Sequence, residues 1–188
     1  MGSYLVTIIC CLLISFLAEC SIVRVDPQKG NDENCSTEGI PCCTLERAFN
    51  ITKLINVTVQ ISGNVELRNS CIEIKYASNI SINGLEGTTN IECSGNSGFV
   101  VKDVRNFTVS NLSFNGCGYS RNDSITYRAA VSIESSSDIK IMHTSITHSL
   151  STGIVFKNCR DVIALQKVNI SFNNNTCCFP AGMSIEVQ

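Results

Sequence analysis

The sequence predicts an all-β fold, a parallel β-helix wound from very short strands, and three observations predict it. Residues 97–116, SGFVVKDVRNFTVSNLSFNG, hold three apolar pairs, Phe99/Val101, Phe107/Val109 and Leu112/Phe114. Each pair has a period of two, so each reads as a short strand with one buried face. The second observation is recurrence. The first pair returns as Ile72/Ile74, Val131/Ile133, Ile154/Phe156 and Met183/Ile185, at spacings of roughly 23 to 32 residues, the range of a solenoid repeat. The second pair returns as Ile80/Ile82 and Ile139/Ile141, then as Val162 or Ile163 with Leu165, one residue out of step. The third returns as Thr144/Ile146 and Val168/Ile170. The third observation is a polar residue just before each second pair: Asn79, Asn106, Asp138 and Asp161. Asn and Asp tolerate the left-handed backbone of a sharp corner. One such unit cannot bury its apolar face alone, whereas stacked units can.

The elements follow in order. Residues 1–20, MGSYLVTIICCLLISFLAEC, read as a secretory signal whose apolar core, Leu5 to Leu17, is short for a membrane span. Ala18 and Cys20 are small residues suited to cleavage before Ser21, although the leading residues lack Lys and Arg. An uncleaved anchor and a lipoprotein site at Cys20 are the alternatives, and no later segment is long and apolar enough to span a bilayer. Residues 21–56 are read as an opening strand (Ile22, Val23, Val25), a turn-rich loop and a capping helix. Thr44 suits the N-cap, and Leu45, Ala48, Phe49, Thr52 and Ile55 fall on one helical face. Such a helix covers the first coil, which would otherwise expose core side chains and strand edges. Residues 57–188 are read as the coils. The last is incomplete, because Ala181 to Val187 echoes Ala129 to Glu134 and a new coil opens there. The expectation is a piece of a longer protein.

The run Val25-Asp26-Pro27, Gly30, Asp32, Pro41-Cys42-Cys43-Thr44-Leu45 and Ala48 resembles the N-terminal entry of right-handed parallel β-helix proteins of the pectin-lyase-like superfamily. Val57 to Ile61, Gly63, Val65, Leu67 and Ile80-Ser81-Ile82-Asn83-Gly84 are similar to it as well, so the likeness covers residues 22–188. It implies a right-handed solenoid. It implies little about activity, because many chemistries sit on this scaffold.

Composition bounds the function. The chain has 188 residues, 44% hydrophobic, no Trp and a formal net charge of -2. There is no basic stripe for nucleic acid and no charge run for a membrane surface. Of the cysteines, Cys10, Cys11 and Cys20 leave with the signal. Cys35, Cys42, Cys43, Cys71, Cys93, Cys117, Cys159, Cys177 and Cys178 remain as disulfide candidates. Their number is odd, so one is free or bonded outside the chain. Cys35 with Cys42 or Cys43 would staple the cap loop, and no pair has zinc-site spacing. Sequons stand at Asn34, Asn50, Asn56, Asn79, Asn106, Asn111, Asn122, Asn169 and Asn174. Asn79 and Asn106 belong to the corner series, whereas Asn34, Asn122 and Asn174 lie in loops and are the better glycan acceptors. The long insertion from Gly118 to Tyr127, with Tyr119, Arg121, Asn122, Asp123 and then Arg128, is the most varied loop.

Chemistry-bearing residues are sparse. The corner series Asn79, Asn106, Asp138, Asp161 reads first as a structural ladder and only second as a column of oxygens for Ca²⁺. Asp138 and Asp161 would repel if adjacent, so one points outward or pairs with Arg160 or Lys140. Glycan cleavage on this fold needs converging carboxylates, and Asp103, Asp138 and Asp161 fall on three different coils, while Asp26 and Asp32 belong to the cap. His143 and His148 flank one strand without an orienting partner, and neither a nucleophile elbow nor a phosphate-binding loop occurs. The expected function is therefore a secreted or cell-surface glycoprotein, non-enzymatic, with an adhesive, ligand-binding or structural role and no cofactor. Its partner would be an extracellular glycan or protein. The alternative is a carbohydrate-active enzyme, lyase-like or hydrolase-like, or its inactive remnant.

Overall fold

A computed structural model describes residues 20–67, 71–85, 87, 89–94, 98–118, 129–149, 152–171 and the backbone of 183–186. The residues before Cys20, most of the long insertion with Asn122, and Asn174, Cys177 and Cys178 lie outside the described residues. The described chain is all-β apart from one short helix. In order the elements are β1 (Ser21–Val25), α1 (Leu45–Asn50), β2 (Ile55–Ile61), β3 (Val65–Leu67), β4 (Ile72–Lys75), β5 (Ser78–Gly84), β6 (Thr89–Cys93), β7 (Phe99–Lys102), β8 (Arg105–Ser110), β9 (Leu112–Asn115), β10 (Ala129–Glu134), β11 (Ser137–Met142), β12 (Ser145–Thr147), β13 (Thr152–Lys157), β14 (Arg160–Gln166), β15 (Asn169–Ile170) and β16 (Met183–Glu186).

The chain visits three parallel sheets in rotation, an arrangement compatible with a β-helix-like solenoid. The first sheet runs β1-β2-β5-β8-β11-β14, the second β16-β13-β10-β7-β4 and the third β15-β12-β9-β6-β3. Like side chains lie over like. In the second sheet Ile72 pairs with Phe99, Phe99 with Val131, Val131 with Ile154 and Ile154 with Met183. In the first, Ile80, Phe107 and Ile139 pair in succession. The one-residue slip in the next copy is a register shift between Ser137 and Ile139, which sets Ile163 beside Ile139 and Leu165 beside Ile141. An extra residue of this kind is a β-bulge, which bends the strand locally.

Alternation explains the core. Phe99, Phe107, Phe114, Ile139 and Ile154 are fully buried inside the tube. Phe99 and Phe114 meet edge to face at 5.1 Å, a favoured aromatic geometry. Gly98 passes so close to the next coil that a Cβ there would lie 2.8 Å from the Ala130 carbonyl oxygen. Burial of each such Ile, Val or Phe contributes about 1.5–3 kcal/mol.

The N-terminal end is closed by polar bonds as well as by packing. The Thr44 hydroxyl accepts from the Arg47 amide at 3.2 Å, as an N-cap should. The Asp32 carboxylate accepts from the Cys43 amide at 2.7 Å and the Thr44 hydroxyl at 2.8 Å, tying the loop to the helix. Leu45, Ala48 and Phe49 are buried beneath. The helix is shorter than its apolar spacing predicts. The Thr52 hydroxyl donates to the Phe49 carbonyl and Leu54 turns left-handed at φ 53, so Ile55 opens β2 and is exposed rather than packed on the helix face. Cys35 bonds to Cys42, which settles the choice between Cys42 and Cys43, and a second disulfide joins Cys93 to Cys117. Cys42 also pairs through its backbone with Arg24 and Asp26, so the outer edge of β1 is closed at its C-terminal end.

Candidate functional site

The corner that leads from the second sheet into the first carries columns of Asn, Asp, Ser and Arg residues. Two positions in each coil take left-handed backbone there. Tyr76, Asp103, Ser135 and Asn158 occupy the first, at φ 50 to 54. Asn56, Asn79, Asn106, Asp138 and Asp161 occupy the second, at φ 53 to 61. Parallel pairing stacks each set along the tube, one coil per about 4.8 Å. Between the two sets runs a third column in which Ser78 pairs with Arg105, Arg105 with Ser137 and Ser137 with Arg160.

The second set divides by chemistry. Asn79 Nδ2 donates to Asn56 Oδ1 at 2.7 Å, and Asn106 Nδ2 donates to Asn79 Oδ1 at 2.8 Å. Asn56, read from sequence only as a sequon, is thus the first rung of this amide ladder. Asp138 stands at the next rung. A carboxylate has no proton to donate, so the ladder stops. Asp138 instead faces Arg105 at 4.0 Å, a different partner from the Arg160 and Lys140 that sequence offered.

Two open grooves follow this acidic half. One, of about 810 Å³, is lined by Asp103, Arg105, Ser135 to Ser137, Asn158, Cys159, Arg160 and Asp161. The other, of about 620 Å³, is lined by Ser78, Asn79, Arg105, Asn106, Asp138, Lys140 and Val162. The carboxylates that sequence placed on separate coils therefore share one lateral surface, with Arg105 common to both grooves. Asn158 Oδ1 is buried at the first groove without a hydrogen-bond partner. The Cys159 thiol beside it lies near the Ile133 carbonyl, and burial, the largest influence, pushes its pKa up from 9.0. Burial, reinforced by Glu73, does the same to Cys71. Both thiols are thus poor nucleophiles.

Other residues flagged by sequence lie apart from the grooves. His143 and His148 are left-handed corner residues on either side of β12, and the His148 ring meets the Asn115 side-chain oxygen at 2.9 Å. Asn111 is a corner residue as well, at φ 56, while Asn34, Asn50 and Asn169 are exposed elsewhere. Asp32 comes close to Cys35 and Cys42, but those two sulfurs are bonded to each other, so no thiolate pair is left for a metal. Among the described residues no helix is long and apolar enough to cross a membrane.

Tyr76 is the residue that sequence reading missed. It is 79% exposed and occupies the column of Asp103, Ser135 and Asn158. The signal was present: aligning the coils puts an aromatic where the other copies carry turn-forming polar residues. No protein-family model matches the chain, and neither does any curated protein or solved structure.

Proposed function

We propose that this chain is an extracellular, non-enzymatic glycoprotein, a right-handed parallel β-helix of the pectin-lyase-like kind, that binds a ligand along its polar corner. The shared groove of Asp103, Arg105, Arg160 and Asp161 carries this reading. The backbone that carries these donors and acceptors is held by paired strands on a filled core, so their anchor points are fixed before binding. Right-handed winding is supported by the handedness that parallel crossovers almost always take. An extracellular setting is supported by the two disulfides, since such bonds persist in oxidising compartments. The test is surface binding of the secreted chain to panels of extracellular glycans and matrix proteins. Arg105→Ala with Asp161→Ala should remove the interaction. Equal binding by that double variant would refute the corner.

A second reading has one observation behind it: Asp103 and Asp161 line one groove and Asp138 the next, with basic neighbours in both. It makes the chain a glycan-cleaving enzyme or its remnant. Incubation with polyuronides and neutral glycans, with and without Ca²⁺, decides between the two. Release of new reducing ends or unsaturated uronides that Asp161→Asn abolishes would favour the enzyme.

A further inference from the structure

We infer that the Cys35–Cys42 disulfide controls an N-glycan site at Asn34, which accepts its glycan only while that disulfide is open. This rests on the reading of the chain as an extracellular glycoprotein and names how one of its modifications is regulated. Of the sequons, Asn34-Cys35-Ser36 alone carries a cysteine between the acceptor and the hydroxyl residue. That cysteine is bonded to Cys42, at a sequence separation of 7.

The closed loop is a poor acceptor, because transfer requires the sequon to be drawn out as a free, extended segment. Here its backbone is already used. The Asn34 amide donates to the Asn31 carbonyl at 3.3 Å and the Ser36 amide to the Ile40 carbonyl at 3.2 Å. Cys35, between them, is 8% exposed. Cys42 is itself held to β1, its amide donating to the Arg24 carbonyl and its carbonyl accepting from the Asp26 amide. A short disulfide loop fastened to a sheet edge cannot straighten. The Asn34 side chain is nonetheless exposed, so a glycan added earlier stays outside the closed loop. Order therefore decides the outcome.

Two reactions share one window. At roughly 5–20 residues per second, Cys42 emerges within about a second or two of Asn34. In one reaction Asn34 Nδ2 attacks the anomeric carbon of an oligosaccharide carried on a polyprenyl diphosphate. The C–N bond forms, the C–O bond breaks, the diphosphate leaves and an amide proton passes to a base. In the other, Cys35 and Cys42 lose two protons and pass two electrons to a disulfide oxidant, which becomes a dithiol. Asn50-Ile51-Thr52 holds no cysteine and is exposed at the end of α1, so it serves as the internal reference.

The experiment uses the full chain secreted from eukaryotic cells. Occupancy at Asn34 and Asn50 is read by mass spectrometry of peptides deglycosylated in heavy-oxygen water. The Cys42→Ser, Cys43→Ser double variant keeps the sequon and leaves Cys35 neither neighbour to close on. Wild type should carry bare Asn34 in a measurable share of chains. In the variant that share should fall about threefold or more, with Asn50 unchanged. Cell extract is read beside the medium, so a variant that is not exported still reports, because transfer precedes export. A membrane-permeant dithiol given to wild-type cells should move Asn34 the same way. Equal occupancy at Asn34 in the two proteins, complete occupancy in wild type, or an equal rise at Asn50 would overturn the inference, while glycan at any other sequon leaves the glycoprotein standing. Bare asparagine at every sequon would remove both.

Discussion

One corner is built with two chemistries, and the contrast separates what the backbone demands from what a ligand could use. In the upper half Asn56, Asn79 and Asn106 hold left-handed backbone and bond to one another through their amides. In the lower half Asp138 and Asp161 hold the same backbone but cannot continue the ladder. The fold therefore specifies a short polar side chain and not its charge. The amide half bonds largely within itself, although Asn79 and Asn106 also line the second groove. The acid half leaves carboxylates and guanidinium groups lining the grooves. Conformation is common to both halves, and only the second carries charge.

The largest effect should come from removing what the halves share. Ile139 is fully buried beneath the acid half and pairs with Phe107 beneath the amide half. Ile139→Asp buries a charge without a partner and should abolish secretion of soluble protein, read by immunoblot of the medium. Next, Asn106→Asp carries the acid chemistry one rung up. It deletes the donor to Asn79 and adds a carboxylate beside Asp138. A loss of about 0.5–1.5 kcal/mol is expected in urea titration, whereas Ser113→Asp, on the outer face of another sheet, should cost less. Tyr76→Asn should raise stability by about 1 kcal/mol, because asparagine tolerates the left-handed backbone. Asp138→Asn extends the ladder by one donor and releases the exposed Arg105 contact, which is worth about 0–1 kcal/mol. Its net gain should be under about 1 kcal/mol.

The smallest effect is alkaline. Burial raises the folded-state pKa of Cys71 and Cys159 above 9.0. The stability this contributes is complete below pH 9.0 and is lost as pH rises through the folded values. Urea midpoints should therefore fall less above pH 9.0 in the Cys71→Ser, Cys159→Ser double variant than in the wild type.

Much of this was legible in the chain because the stacked elements are local and periodic. Phe99, Val131 and Ile154 pair as their spacing demands, since a strand one residue out of register would turn its apolar set to water. The helix was read too long because Thr52 and Ile55 share its periodicity. What ended it was a left-handed turn at Leu54, a residue with no turn signature. The partner of Asp138 was missed for another reason. Arg105 is close in space only through pairing across coils, and charge contacts of that kind leave no period in the sequence. Tyr76 went unread because nothing about a tyrosine in a polar run is unusual until the coils are aligned.

Nuclear Overhauser contacts in isotope-labelled protein test the stacking most directly. Stacked coils give side-chain contacts from Ile80 to Phe107 and from Phe107 to Ile139, together with amide contacts from Asn56 to Asn79 and from Asn79 to Asn106. Contacts that instead join Phe107 to residues nearby in sequence, with none to Ile80 or Ile139, would contradict it.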